Sequence, residues 1–238
     1  DPTDPGFRMT STADYARCAL LASLTALAAC GGGGSSPPPP SPPPVACTSS
    51  PPPPPPATVS AEPQVTFAVT NGAGVAGTVV LTLNRTAAPV TVTNFLQYVN
   101  SGFYNCTLFH RHAPNFVLQG GGFAAPLTAG GSSPVPKPTQ SPIVLEVGRG
   151  LSNTALSVAM ARTNELNSAT SQFFINLVNN PALDTASGGY AVFGQVTAGA
   201  EVITASRNAP CLAWSAFLPS GDCLPSPNII ITAASQTR

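Results

Sequence analysis

The chain has 238 residues, carries nine Lys+Arg against nine Asp+Glu, and is only 8% charged. There is no basic surplus to bind a phosphate backbone, so no nucleic-acid partner is expected. The two histidines stand apart from any acidic cluster, so no metal and no cofactor are expected, and no apolar run approaches the ~20 residues of a membrane-spanning helix.

From Arg17 the chain reads RCALLASLTALAAC: one cation, then an apolar run from Ala19 to Ala29. That run is too short to span a bilayer and has the flanks of a secretory signal, with Met9 as the expected start. It ends Leu27-Ala28-Ala29-Cys30, which resembles the bacterial lipobox, whose cysteine is diacylated and becomes the first mature residue. Residues 1–30 are therefore read as a signal peptide and Cys30 as the lipidation site, an ordinary signal peptide being the alternative. Two acyl chains bind a membrane stably where one does so marginally. Export to the bacterial periplasm or cell envelope is expected, with the lipid anchor as the only membrane contact. Gly31, rather than Asp, after the cysteine favours the outer membrane.

Residues 31–63 read as a linker. Half of the 28 prolines fall between Pro37 and Pro63, behind a flexible GGGGSS stretch. Proline runs favour extended polyproline II at ~3.1 Å per residue, so the linker reads as a passive spacer with a reach on the order of 100 Å or somewhat less. With Cys18 removed and Cys30 acylated, four cysteines remain. Cys211 and Cys223 close a short loop and are the expected disulfide in an oxidising compartment. Cys47 in the linker and Cys106 in the domain are left open between free thiols and a pair.

The folded domain is read from 64 to 238. Val65, Phe67 and Val69 alternate with polar or small residues, Asn71-Gly72 supplies a turn, and Thr78 to Leu83 forms a partner strand: a β-hairpin. Pro89 suits a first helical turn, Val92, Phe95, Leu96 and Val99 make one helical face, and Gly102 stops it. Strands follow at TLFHR from Thr107 and at NFVLQGGGF from Asn115. Residues 126–142, rich in Gly, Pro, Ser and Thr, read as a long surface loop. Short strands are expected at Ile143-Val144-Leu145, Ala155 to Ala161, Ser171 to Val178, Ala191 to Val196 and Asn228 to Thr232, with a second short helix over Ala198 to Ser206. This is an all-β pattern with few helices, a barrel or a sandwich.

The run Phe109-His110-Arg111-His112-Ala113-Pro114-Asn115-Phe116-Val117-Leu118-Gln119-Gly120-Gly121 resembles the cyclophilin signature FHR-x-x-P-x-F-x-x-QGG. Ala159-Met160-Ala161-Arg162, followed by Ser171-Gln172-Phe173-Phe174-Ile175, is similar to a second block of that family, and Tyr190 to Val196 to a third. The resemblance covers about Gln64 to Ala233. It implies a closed eight-stranded antiparallel β-barrel capped by two helices, with a peptide groove outside, and peptidyl-prolyl cis-trans isomerase activity on proline-containing segments of exported proteins. A monomer is expected. The alternative is a catalytically weak proline-peptide-binding or chaperone-like lipoprotein.

Rotation about a prolyl peptide bond needs no covalent step; it needs preferential binding of the twisted state, in which amide conjugation is lost. Arg111, a permanent planar cation with several donors, is by the resemblance the catalytic residue, aimed at the proline nitrogen. Gln119 would grip the carbonyl, and positions 111, 117 and 119 share parity along one stretch. Phe116, Val117, Phe174, Leu183 and Tyr190 would line the proline pocket; Gln172, Ala159, Met160 and Ala161 would form the rim. Departures are Val117 where many members have Met, His112 where an aliphatic residue is usual, Cys106 where Gly is common, and Ala182 in place of a Trp that helps bind cyclosporin elsewhere, so weak cyclosporin inhibition is expected. His110 and His112 would face the same way on a regular strand. The stretch Cys211 to Cys223 reads as an insertion without an assigned role.

Overall fold

The structure is a computed structural model and describes residues 47, 51–56, 60–131 and 133–238. The signal-like segment, Cys30 and most of the linker lie outside the described residues. Among the described residues, no helix is long and apolar enough to cross a membrane.

Among the described residues, ten strands form one sheet: β1 (Gln64–Thr70), β2 (Ala76–Leu83), β3 (Thr107–Ala113), β4 (Val117–Ala124), β5 (Ser157–Met160), β6 (Phe173–Asn176), β7 (Val192–Ala198), β8 (Cys211–Ala213), β9 (Cys223–Pro225) and β10 (Ile229–Gln236). The order β10-β1-β2-β7-β5-β6-β4-β3 closes on itself because β10 also pairs with β3, leaving β8 and β9 as a hairpin beside β3. All pairings are antiparallel. Closure gives eight strands whose inward residues make one core and whose outward residues are free to build a site.

The first hairpin forms for the reason its turn residues suggest. The Asn71 side chain accepts from the backbone N–H of Ala73 and Val75 at 2.8 and 2.9 Å, replacing ladder bonds where the chain reverses. Two helices bring apolar faces to the core: α1 (Pro89–Asn100) and α2 (Ala200–Arg207). Pro89 opens α1, but Ala88 offers no side-chain cap. Glu146 supplies it from a distant loop, its carboxylate accepting from Val90 N and Thr91 N at 3.3 and 2.8 Å, where the helix N-terminus favours negative charge. Phe95 of α1 packs between Phe193 and Tyr104, with ring centroids 4.9 and 5.1 Å away, and Val202 and Ile203 of α2 join the same core. Gly199 precedes α2 at φ 81°, where an added Cβ would lie 2.1 Å from Thr78 O, so only glycine fits.

Three expectations change. Ile143-Val144-Leu145 is not a strand: Ile143 makes one isolated bridge to Ala169 and Val144 is exposed, so the three apolar residues never share a ladder. The stretch from Cys211 to Cys223 builds β8 and β9, and Trp214, Leu218 and Leu224 bury against Leu108 and Phe123 in a second cluster. Cys47 and Cys106, left open in sequence, are joined by a disulfide. Pro55 and Pro56 line a groove with Leu96, Gln97 and Asn100 of α1, and Ala61 and Pro63 accept backbone bonds from Arg85 and Leu83. The described part of the linker is thus fastened to the domain, and any spacer reach is measured outward from Cys47.

Candidate functional site

The site is laid out by strand register. Arg111 on β3 lies opposite Gln119 on β4, Gln119 opposite Phe174 on β6, Phe174 opposite Ala159 on β5, and Ala159 opposite Val192 on β7. These residues form one row across the sheet, and Ala159, Phe174 and Val192 gather with Ala113 and Val117 in a cluster separate from the barrel core. A bulge between Phe109 and Arg111 resets the alternation: Phe109 belongs to the core, while Arg111 and Ala113 point outward. Bulges re-aim side chains next to sites in this manner.

The shared parity of 111, 117 and 119 therefore has a different cause from a single strand. Pro114 and Asn115, the latter at φ 55°, turn the chain between β3 and β4, and Phe116 N closes the turn on Ala113 O at 3.1 Å. Arg111 and Gln119 meet as cross-strand neighbours, not as residues of one strand.

Arg111 is held at two edges. Its Nε donates to Asp222 Oδ2 at 2.5 Å and its Nη1 to Gln119 Oε1 at 2.9 Å. Gln119 Nε2 donates in turn to Gln172 Oε1 at 2.9 Å. The remaining guanidinium N–H groups make no hydrogen bond among the described residues. The arginine side chain is 24% exposed, enough to meet a ligand from solvent.

Beside it lies an apolar hollow. Val117, Phe174, Ala159 and Val192 are its buried floor, and Phe116, Leu183, Tyr190 and Ala161 are its half-buried walls. Tyr190 stands edge-on to Phe174 at 5.8 Å and is covered by the Arg162 guanidinium at 4.6 Å, which also donates to Gly189 O at 2.8 Å. Phe116 is fixed from behind. Asn180 Nδ2 donates to Phe116 O at 3.0 Å and to Asn176 Oδ1 at 2.8 Å, and Asn176 Nδ2 donates to Asn153 Oδ1 at 3.1 Å. Asn153 Nδ2 reaches Asp184 Oδ1 at 2.7 Å, next to Leu183. Burial alone would raise the Asp184 carboxyl; hydrogen bonds from Ser152 and from Asn153 outweigh it and hold it below the usual carboxylate range. Gln119, Ala161, Arg162 and Gln172 continue the groove into a cleft of about 200 Å³.

The structure moves one expected rim residue. Met160 is 1% exposed and packs in the barrel core, because alternation along β5 sends Ala159 outward and Met160 inward. Its side chain cannot touch a ligand in the groove; Ala159, Ala161 and Gln172 do face it. Ala182 sits on the 3₁₀ turn Pro181–Asp184 and presents only a methyl beside Leu183. The histidines serve separate places. His110 packs against Phe123 at 4.7 Å; burial pushes its pKa down to about 3, the neighbouring Arg111 adds to this, and a backbone bond opposes it. His112 Nδ1 lies 3.7 and 3.9 Å from the sulfurs of Cys211 and Cys223, which form a disulfide. Its pKa is lowered by burial and by Arg207, against Asp222. Asp222, which contacts Arg111 directly, was not among the expected site residues. Its one sequence signal is an acid beside Cys223 in a chain with few acids.

Residues 65–233 match the family described as cyclophilin type peptidyl-prolyl cis-trans isomerase/CLD. A peptidyl-prolyl cis-trans isomerase A of Dickeya dadantii (strain 3937) is 49% identical over 129 residues, 53% of this chain and 64% of that protein. The chain thus spans a little under two thirds of that relative. A peptidyl-prolyl cis-trans isomerase cyp18 of Streptomyces antibioticus is 49% identical over 137 residues, 56% of this chain and 78% of that protein. Among solved structures, the fold is similar to that of a Cryptosporidium parvum cyclophilin type peptidyl-prolyl cis-trans isomerase, crystallised in the presence of the dipeptide ala-pro. The TM-score is 0.56 at 23% identity, covering 74% of this chain and 99% of that one.

Proposed function

The chain belongs to the cyclophilin type peptidyl-prolyl cis-trans isomerase family, and on that footing we propose that it accelerates cis-trans rotation of X-Pro bonds in peptide segments laid along the outer groove. The observation that carries this reading is the Arg111 guanidinium, with N–H groups unused, beside the hollow walled by Phe116, Leu183 and Tyr190.

The geometry suits the reaction. The rotational barrier of ~18–20 kcal/mol comes from amide resonance. At the twisted state the proline nitrogen regains a lone pair that can accept a hydrogen bond; in either planar isomer it cannot. A donor fixed beside the pocket therefore binds the transition state better than the ground state, the condition for catalysis. The apolar hollow holds the pyrrolidine ring while the preceding residue turns. Gln119 accepts from Arg111 and donates to Gln172, so its amide is oriented at the rim that meets the substrate backbone. No bond is broken and no proton is transferred.

The substrates fit proline-containing segments of exported proteins, with the chain as a lipid-anchored monomer of the cell envelope, outer membrane favoured. The signal-like run before Cys30, the lipobox-like tetrapeptide and the two cystines support that setting. Uncatalysed X-Pro isomerisation takes tens to hundreds of seconds, slow enough to limit folding. A protease-coupled assay on a short prolyl peptide tests the activity, and an uncatalysed rate in the presence of the chain rejects it. Mass spectrometry of the mature N-terminus tests the anchor, and an unacylated Cys30 rejects it.

A further inference from the structure

We propose that Asp222, delivered by the β8–β9 hairpin, is a positioning residue for Arg111; this rests on the isomerase reading above. The carboxylate meets Arg111 Nε at 2.5 Å, with side-chain exposures of 11% and 24%. It does not come from β3, β4 or any segment that resembles the family blocks. It lies immediately before β9, whose Cys223 is in register with His112, the neighbour of Arg111.

The arm that carries it is rigid. Cys223 is bonded to Cys211, and the two short strands pair from Cys211↔Pro225 to Ala213↔Cys223. Asp222 N donates to Pro219 O at 3.1 Å, and Trp214, Leu218 and Leu224 bury the hairpin against Leu108 and Phe123. The carboxylate is thus delivered at a fixed place on one edge of the guanidinium, while Gln119 holds the other.

Two effects oppose each other. The negative charge weakens the field of the guanidinium. It also stops a long, flexible side chain from rotating its remaining donors away from the groove. Positioning dominates, because Asp222 takes up Nε alone and leaves the Nη2 donors and one Nη1 donor unspent, and a donor misplaced by about 1 Å costs on the order of a hundredfold in rate. Planar, two-point fixation is what a guanidinium, unlike an ammonium, can exploit.

The test uses the full chain and a short prolyl peptide, with NMR exchange spectroscopy separating kcat from KM. Asp222→Ala is expected to lower kcat by about tenfold with KM unchanged within about twofold, since the pocket is untouched. Asp222→Asn, whose amide oxygen still accepts from Nε, is expected to keep about half the rate or more. Asp222→Ser, too short to reach Nε, repeats the alanine result and replaces it if that variant does not fold. In an Arg111→Ala background, Asp222→Ala is expected to do nothing further. An unchanged or higher kcat in Asp222→Ala overturns the assignment, leaving the carboxylate as a screen on the cation. The same fractional loss in both backgrounds overturns it too, leaving a scaffold effect. A wild-type chain without turnover removes the isomerase reading itself, an outcome distinct from an active wild type with an equally active Asp222→Ala.

Discussion

Arg111 and Gln119 face each other across β3 and β4, with Nη1 donating to Oε1 at 2.9 Å. Antiparallel pairing makes this contact independent of long-range docking: once the turn at Pro114-Asn115 forms, the two side chains are brought opposite each other by register alone. The same register continues through Phe174 and Ala159. The donor and the apolar floor are therefore positioned by one ladder, and small movements of the surrounding loops do not separate them.

Arg111→Ala removes the donor and leaves the hollow. Loss of one preorganised donor costs about 10²–10³ in rate, so kcat/KM for a prolyl peptide is expected to fall by roughly two orders of magnitude. Peptide affinity, set mainly by Phe116, Phe174 and Tyr190, is expected to stay within a few-fold, as read by titration calorimetry. Turnover equal to wild type would take Arg111 out of the mechanism.

Much of this was legible in the sequence where pattern and chemistry coincide. Alternation marked β1, the Pro89 to Gly102 stripe marked α1, and the FHR run carried the site through its resemblance. What was not legible depended on register and on distant partners. Parity along 111–119 could not reveal the turn that splits the stretch into two strands. Nor could it reveal the bulge that puts Phe109 inside and Arg111 outside. The Ile143 segment is apolar yet makes one bridge, to Ala169, and Leu145 N is taken by the Asn167 side chain instead of continuing a backbone ladder. The hairpin from Cys211 has few alternating residues, and its strands are short. Asp222 acquires its meaning only when that hairpin folds onto β3.

Met160 separates packing from catalysis. Its side chain is in the core while Ala159, one residue earlier, faces the groove. Met160→Ala is expected to cost about 2–5 kcal/mol of stability, read by urea denaturation, with kcat/KM nearly unchanged below the melting range. Ala159→Leu is expected to do the reverse: a fall in kcat/KM as the added side chain fills the hollow, with a smaller loss of stability. A large kinetic effect from Met160→Ala in a fully folded sample would place Met160 at the rim after all.

Acid sensitivity should trace to His110. Its folded pKa is about 3, against ~6.5 when unfolded. Between these values the unfolded chain binds a proton that the folded chain does not, so stability rises with pH across the window and falls as the solution is acidified. The contribution is fully present above about pH 6.5 and is lost toward pH 3, by at most about 1.4 kcal/mol per unit. His112, shifted in the same direction, adds to the slope. Urea midpoints at pH 7.5 and 5 are expected to differ in the wild type and to differ less in His110→Phe, where only the His112 part of the slope is left. That ring suits the aromatic neighbours Phe123 and Phe217. An equal slope in both proteins would move the acid sensitivity elsewhere.

The Cys47–Cys106 bond makes a prediction with an internal control. The bond spans 59 residues, and closing a loop of that length stabilises by about 4 kcal/mol in the chain-entropy view. Breaking it in the double variant Cys47→Ser, Cys106→Ser is expected to lower the melting temperature by roughly 10 °C for a domain of this size. Cys106 also sits at φ 62°, a left-handed conformation that costs a non-glycine residue about 1–2 kcal/mol. Replacing it by glycine instead, in Cys47→Ser, Cys106→Gly, loses the same cross-link but relieves that cost, so this variant is expected to melt a few degrees above the serine pair. Both should retain wild-type kcat/KM at low temperature, because Cys106 precedes β3 and is not part of the Arg111–Gln119–Phe174 row. Equal melting temperatures for wild type and the serine pair would mean the cross-link contributes nothing in solution. A serine pair as stable as the glycine variant would mean the left-handed residue carries no strain.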